Sequence, residues 1–136
     1  EMVRMLSPKM NDGASVMALT YYGSTRYMQS YNVMGVAKAA LETSIKYLAV
    51  DMGDRGIRVN AISAGPMRTL AGAVINKSRK IYNYTIENSP IKKPLSLEDI
   101  GKSSVYLMSD LSKGVTGEIL YVDNGYNNVG MSIQDL

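Results

Sequence analysis

The chain has 136 residues, of which 46% are hydrophobic and 20% charged, so one folded domain is expected rather than a disordered chain. Cysteine and histidine are absent, which excludes disulfides, thiol chemistry and the usual general base, and we expect no metal site. Lys and Arg exceed Asp and Glu by only 15 to 12, and no nucleic-acid or membrane-spanning signature accompanies that surplus. We therefore expect neither a nucleic acid nor a membrane as partner, and a cytoplasmic protein whose acid–base chemistry uses Tyr, Lys, Asp or Glu.

The first elements indicate a helix end followed by a buried strand. Residues 2–10 resemble the last turns of a helix, and Asn11-Asp12-Gly13 is a turn signal. The apolar run from Ala14 to Tyr22 has the length of a strand buried on both faces, as in a parallel sheet.

A helical period follows from Tyr31 to Met52. Apolar residues recur there at steps of four or three and predict one buried stripe, formed by Val33, Ala37, Leu41, Ile45, Leu48 and Met52. Asp54-Arg55-Gly56 is a typical helix end, and the run Ile57–Ser63 predicts the next strand.

The second half adds a variable segment, a helix and a strand. Residues 69–94 allow one or two short helices, Ser96-x-x-Asp99 resembles a capping box, and Glu118–Val122 predicts a third strand. This alternation predicts an α/β fold with a parallel sheet. Three strands are half of a normal doubly wound sheet, and the chain opens inside an element, so we interpret the chain as a fragment of such a sheet.

Tyr31 and Lys38 are the first candidates for chemistry. Seven residues are almost two helical turns, so on one helix both side chains would leave the same face, roughly 10.5 Å apart along the axis. Taken alone, this spacing is also common among ordinary surface residues.

The strings SYNVMGVAKAALE (residues 30–42) and VNAISAGPMRTLAG (59–72) resemble the NADH-dependent enoyl-acyl-carrier-protein reductases of bacterial type II fatty-acid synthesis. These enzymes are divergent short-chain dehydrogenases/reductases with a Rossmann-like fold, and the resemblance covers nearly the whole chain. Most short-chain dehydrogenases have Tyr-x-x-x-Lys, which would require a tyrosine at Met34. The Tyr-x6-Lys spacing of Tyr31 and Lys38 matches the enoyl reductases instead.

The resemblance implies a set of site residues. Catalytic residues would be Tyr21, Tyr31 and Lys38. Cofactor-binding residues would be Lys38, Ala64, Gly65, Pro66, Met67 and Thr69. Substrate-binding residues would be Tyr21, Tyr31, Met34, Ala71, Gly72 and Ile75. Ser78 departs from the family pattern, since related enzymes often carry an aromatic residue there.

The implied activity is the reduction of the 2,3 double bond of an enoyl thioester with NADH as cofactor. The implied partner is acyl carrier protein, which would dock on Arg79 and Lys80, and the implied assembly is a homotetramer with the long helix at an interface. The resemblance also implies that residues 1–136 are the C-terminal part of a single Rossmann-type domain whose nucleotide-binding half is absent. Two alternatives stay open: a ketone-reducing short-chain dehydrogenase, and an inactive fragment. The second is open because no G-x-G-x-x-G turn for a dinucleotide occurs in the chain.

Overall fold

The computed structural model describes residues 1–69 and 78–130. Helices and strands alternate along the chain, as the sequence predicts. In chain order they are α1 (Met2–Leu6), β1 (Ser15–Thr20), α2 (Val33–Asp51), β2 (Arg58–Ala64), α3 (Ser78–Asn88), α4 (Leu97–Met108) and β3 (Ile119–Val122).

The three strands form one parallel sheet in the order β1-β2-β3. In β1 and β2, Ser15 pairs with Arg58 and Thr20 with Ser63, while Ala61 of β2 pairs with Ile119 of β3. Because all strands run the same way, their carboxyl ends meet at one edge of the sheet, where open α/β sheets bind ligands. This agrees with the predicted half of a Rossmann-like sheet.

Helices cover both faces of the sheet. On one face α2 packs on the strands, with Ile45 and Ala49 against Val59 and Ala61. On the other face α4 places Ile100 and Leu107 against Ile62. Neighbouring residues of β2 point to opposite faces, which is why Ala61 and Ile62 belong to different clusters. The middle strand is therefore apolar on both sides, as a doubly wound sheet requires.

The predicted start of the long helix was wrong by two residues. Asn32 precedes the first helical residue with φ 50° and ψ −130°, and Ser30 has φ 66°. Positive φ interrupts a right-handed helix, so Tyr31 lies in a turn before α2. The predicted two-turn separation of Tyr31 from Lys38 along one helix axis was consequently wrong as well.

The predicted buried stripe of this helix was only half right. Ile45 and Met52 are buried, but Val33 is 72% exposed and Ala37 is also exposed. The buried face of α2 contains Glu42, Ile45 and Ala49. The prediction was partly wrong because α2 carries apolar side chains on its outer side as well as on the side that packs on the sheet. Periodicity alone does not show which of these two sides is buried.

Helix α4 is fixed at both ends by polar contacts. The predicted capping box is confirmed: the Asp99 backbone N–H donates to the Ser96 hydroxyl oxygen, and the Asp99 carboxylate accepts from the Ser96 backbone N–H. At the carboxyl end, the Arg58 guanidinium donates to the carbonyls of Leu107 and Ser109 at 2.8 and 3.0 Å. A cation favours this end of a helix, so β2 and α4 are joined there.

The variable region contains one described helix, α3, from Ser78 to Asn88. Within residues 1–69 and 78–130, no helix combines the length and apolarity needed to cross a bilayer.

Candidate active site

Two predicted tyrosines come together at the carboxyl end of β1. Tyr21 follows the last strand residue in an extended conformation, and a short 3-10 turn over Tyr22–Ser24 then reverses the chain. Tyr31 returns to the same place from the turn before α2. The ring centroids of Tyr21 and Tyr31 are 5.0 Å apart with an interplanar angle of 66°, an edge-to-face contact.

Two glycines allow this approach. A Cβ atom on Gly23 would lie 2.5 Å from Cδ1 of Tyr31, and one on Gly35 would lie 2.8 Å from the carbonyl oxygen of Gly23. Neither position tolerates a side chain without movement of its neighbours. The loop after β1 and the first turn of α2 therefore touch through backbone, and the Tyr31 ring fills the space over Gly23. Neither glycine was assigned a role from the sequence.

Both phenols are held in their neutral form. Burial raises the pKa of Tyr21 above its ordinary value, and the neighbouring phenols of Tyr126, Tyr31 and Tyr22 add to this effect. Burial also raises the pKa of Tyr31. Since a free tyrosine ionises only near pH ~10, both side chains remain hydroxyl donors at neutral pH.

Lys38 reaches the same strand end from α2. Its Nζ donates a hydrogen bond of 2.9 Å to the backbone carbonyl of Leu19, two residues before Tyr21. Tyr31 and Lys38 thus adjoin the same short segment, one through the Tyr21 ring and the other through the Leu19 carbonyl. We predicted that Tyr31 and Lys38 share one face of a helix. Instead, they meet at the carboxyl end of β1.

The loop after β2 lies at the neighbouring position on this edge. Its backbone is joined to β3, because the Gly65 N–H donates to the Val122 carbonyl at 2.9 Å. A Cβ on Gly65 would lie 3.0 Å from Cα of Asp123, so a side chain here would require the two backbones to move apart by a few tenths of an ångström. Ala64 and Met67 pack on the α4 side of the sheet, whereas Pro66 is half-buried and Thr69 exposed.

The remaining predicted residues divide into three groups. Met34 is about half exposed in the first turn of α2, on the helix that carries Lys38. Arg79 and Lys80 are exposed at the start of α3. The substrate-binding residues Ala71, Gly72 and Ile75 lie outside the described residues, as does the side chain of Ser78.

Two aromatic contacts at this edge were not predicted. Tyr126, just after β3, makes an edge-to-face contact with Tyr22 at a centroid distance of 5.6 Å. The Arg68 guanidinium lies 5.0 Å from the ring centroid of Tyr82 on α3, a cation–π distance. Tyr126 directly follows the Asp123-Asn124-Gly125 turn signal, which marks the end of β3 but does not show that the next side chain turns toward β1.

An open groove of about 520 Å³ adjoins Tyr31 on the α2 side. Its lining includes Gly23, Met28 and Gly35, so one wall of the groove is the loop-to-helix contact described above. A larger groove of about 930 Å³ runs along the outer edge of β3 and includes neither Tyr31 nor Lys38. Of these two grooves, the smaller is the one that Tyr31 lines.

Replacing Gly23 with Ala should destabilise the protein, because the new methyl group would overlap the Tyr31 ring. We expect a loss of about 1–3 kcal/mol in the free energy of unfolding, the usual cost of overpacking, measured by urea titration. Gly101→Ala is the matched control. Its Cβ would meet nothing within 4 Å inside α4. This control should stabilise the protein by about 0.5–1 kcal/mol, since alanine is the better helix residue. Equal effects of the two substitutions would contradict the assigned contact.

Comparison with known proteins agrees with this fold. The model of the family described as enoyl-(acyl carrier protein) reductase matches residues 1–127. The NADH enoyl-[acyl-carrier-protein] reductase 1 of Rhizobium meliloti (strain 1021) is 59% identical over 126 residues, which are 93% of this chain and 46% of the relative. The FabI enzyme of Rickettsia typhi is 53% identical over 132 residues, which are 97% of this chain and 51% of that relative. The chain spans about half the length of the curated relatives it matches.

Solved structures give the same result. The crystal structure of FabI from Candidatus Liberibacter asiaticus matches 96% of this chain and 50% of its own, with a TM-score of 0.91 and 57% identity. An enoyl-(acyl-carrier-protein) reductase from Anaplasma phagocytophilum, solved in complex with NAD, matches 98% of this chain and 49% of its own, with a TM-score of 0.90 and 46% identity. The chain therefore belongs to the enoyl-(acyl carrier protein) reductase family.

Proposed function

We propose that this chain is the carboxyl-terminal catalytic half of an NADH-dependent enoyl-acyl-carrier-protein reductase. The enzyme would reduce the 2,3 double bond of trans-2-enoyl thioesters in the last step of the fatty-acid elongation cycle. The observation that carries the proposal is the neutral Tyr21–Tyr31 pair beside Lys38 at the carboxyl edge of the sheet. The nucleotide-binding half of the same Rossmann-type domain would come from a preceding segment of the full protein.

Tyr31 would act on the substrate carbonyl. When hydride reaches C3 of the enoyl thioester, negative charge moves to the thioester oxygen and forms an enolate, which then takes a proton from water at C2. A neutral phenol can donate a hydrogen bond to that oxygen, and the raised pKa of Tyr31 keeps its proton available. One preorganised donor of this kind contributes about 3–4 kcal/mol in the transition state. Tyr21 packs on the Tyr31 ring and limits its movement.

Lys38 would bind the ribose next to the nicotinamide. A lysine ammonium has three donors, and one of them is used by the Leu19 carbonyl. Two donors remain for a pair of ribose hydroxyls, so the side chain fits this role without losing its strand contact. The backbone of Ala64–Thr69 follows β2 at the same edge and would contact the nicotinamide and the pyrophosphate. NADH itself supplies the hydride, and the protein supplies orientation and charge.

The tyrosine position favours enoyl reduction over ketone reduction. A ketone-reducing relative would carry its tyrosine at position 34, where this chain has a methionine without an ionisable proton. Tyr31 stands before the helix, against the loop that follows β1. This places the donor over the end of β1 rather than over the first turn of α2.

The full-length protein should oxidise NADH with crotonyl thioester and not with acetoacetyl thioester, as followed by NADH absorbance. Tyr31→Phe should lower kcat by about 100-fold, because it removes one transition-state hydrogen bond. Lys38→Ala should weaken NADH binding in a fluorescence titration.

Tyr106→Phe, on the exposed side of α4, is the control for both variants. It should change neither kcat nor the affinity for NADH.

Preference for the acetoacetyl thioester would establish the ketone-reducing alternative. Absence of turnover with either thioester in the full-length protein would contradict the proposed function. Residues 1–136 alone should give no turnover, since half of the dinucleotide site is missing.

We also propose that acyl carrier protein docks beside α3. Arg79 and Lys80 are exposed in the first turn of this helix. Cations there are disfavoured by the helix dipole, which prefers acidic side chains at its amino end. Helix stability therefore does not account for them, whereas an acidic partner would.

Reversing both charges, Arg79→Glu with Lys80→Glu, should raise KM for the carrier-bound enoyl thioester about tenfold at low salt. The KM for a small crotonyl thioester should not change, because that substrate makes no protein contact on α3. Lys113→Glu, an exposed charge reversal away from α3, is the control. Equal effects on both substrates would contradict docking at this helix.

The outer face of α2 supports a homotetramer. Val33, Val36, Tyr47 and Val50 are between 70% and 80% exposed. Their positions fall within about 100° around the helix axis, opposite the buried Ile45 and Ala49. A cluster of large exposed apolar side chains of this kind is typical of a protein interface. We propose that α2 packs against a second copy of the chain through this face.

Val36→Glu in the full-length protein should dissociate the tetramer, because it buries an unpaired charge in the proposed interface. Sedimentation velocity would report the loss of the tetramer species. Leu97→Glu changes an equally exposed residue on α4 and serves as the control. A tetramer that survives Val36→Glu would contradict the proposed interface.

A further inference from the structure

Glu42 is a buried acidic residue that has no role in the proposed mechanism. Its side chain lies on the inner face of α2, one helical turn after Lys38, and is 9% exposed. Within residues 1–69 and 78–130, no Lys or Arg side chain forms an ion pair with it. Burying a carboxylate without a cation costs on the order of several kcal/mol of folding free energy, and an apolar residue would pack there at lower cost. Stability alone therefore does not explain an acid at this position.

The partner of Glu42 is the last residue of β1. The Thr20 hydroxyl donates to Oε1 of Glu42 at 2.6 Å, and both side chains are buried. This distance lies at the short end of the range for a hydroxyl–oxygen hydrogen bond. Thr20 immediately precedes Tyr21, so the bond fixes the backbone at the point where the strand leads into the tyrosine pair.

A second hydrogen bond joins α2 to β1 at the preceding strand residue. Lys38 Nζ donates to the Leu19 carbonyl, and Leu19 precedes Thr20. Lys38 and Glu42, four residues apart, thus hold two consecutive residues of β1. Their positions on α2 differ by one turn, about 6 Å of rise. Two bonds at this spacing fix both the height and the rotation of α2 relative to the end of β1.

We propose that Glu42 is a positioning residue for the reduction: through Thr20 it sets the place of Tyr21 and of the Leu19 carbonyl that orients Lys38. This inference rests on the proposed function. Glu42 touches neither substrate nor cofactor; it acts by holding the segment from which Tyr21 and the Lys38 acceptor extend. Loss of the bond frees the strand end and misaligns Lys38 with the tyrosine pair.

The test compares substitutions at both ends of the bond in the full-length enzyme. Glu42→Leu and Thr20→Val each remove it and should lower kcat per folded molecule by about 10- to 100-fold, as expected for misplacement of reacting groups by about 1 Å. KM for the enoyl thioester should change little. Glu42→Gln keeps an acceptor for the Thr20 hydroxyl and should restore kcat close to the parent value. The double variant should be no worse than either single variant, because both remove one interaction.

Asp51→Leu is the matched control. It removes an exposed acid from the last residue of the same helix and should leave kcat unchanged. An unchanged kcat in Glu42→Leu would overturn the proposal. Activity that falls only in proportion to the folded fraction would overturn it too, as would failure of Glu42→Gln to restore kcat.

A second measurement is independent of turnover. The ring NMR signals of Tyr21, assigned by comparison with the Tyr21→Phe variant, should move in Glu42→Leu and stay in place in Asp51→Leu. The change is expected because the Tyr21 ring is no longer held against Tyr31. Unmoved Tyr21 signals in Glu42→Leu would overturn the positioning of Tyr21 by Glu42. A parent enzyme without enoyl reductase activity would overturn the proposed function and leave this measurement to decide the positioning alone.

Discussion

The site depends on backbone contact between the first turns of α2 and the loop that follows β1. Gly35 lies against the Gly23 carbonyl, and a side chain at either position would separate the two elements. Because they touch directly, Tyr31 can pack on Tyr21, and Lys38 can reach the Leu19 carbonyl. Direct backbone packing, rather than additional side chains, therefore brings the Tyr31 and Lys38 side chains to this strand end.

Helix α2 has two apolar sides with different partners. Its inner side packs on the sheet through Ile45 and Ala49, and its outer side presents Val36 and Tyr47. Under the proposed assembly, a neighbouring subunit rests on the same helix that carries Lys38. Subunit association and ribose binding would then act on a single packed element, which is the physical requirement for coupling between them.

The sheet could be predicted from the sequence because its signals are local and repeated. Apolar runs of strand length alternate with a helical period, and Ser96 with Asp99 marks a helix start by itself. The start of α2 could not be predicted, because Ser30 and Asn32 adopt positive φ, a conformation that neither residue type requires. The Thr20–Glu42 bond was equally invisible, since its partners are 22 residues apart and neither belongs to a motif. The Tyr-x6-Lys spacing was informative only through the family resemblance, because the helix geometry first used to interpret it does not apply.

Tyr31 and Lys38 are carried by different kinds of backbone. The lysine extends from a helix of 19 residues that is packed along its inner face. The tyrosine extends from a short turn whose neighbours Ser30 and Asn32 have positive φ. A change in that turn can relocate the phenol while the helix, and the lysine on it, stay in place. Under the proposed function, selection could therefore change which bond of a substrate is reduced by altering a few residues of this turn, while the helix that carries Lys38 is retained.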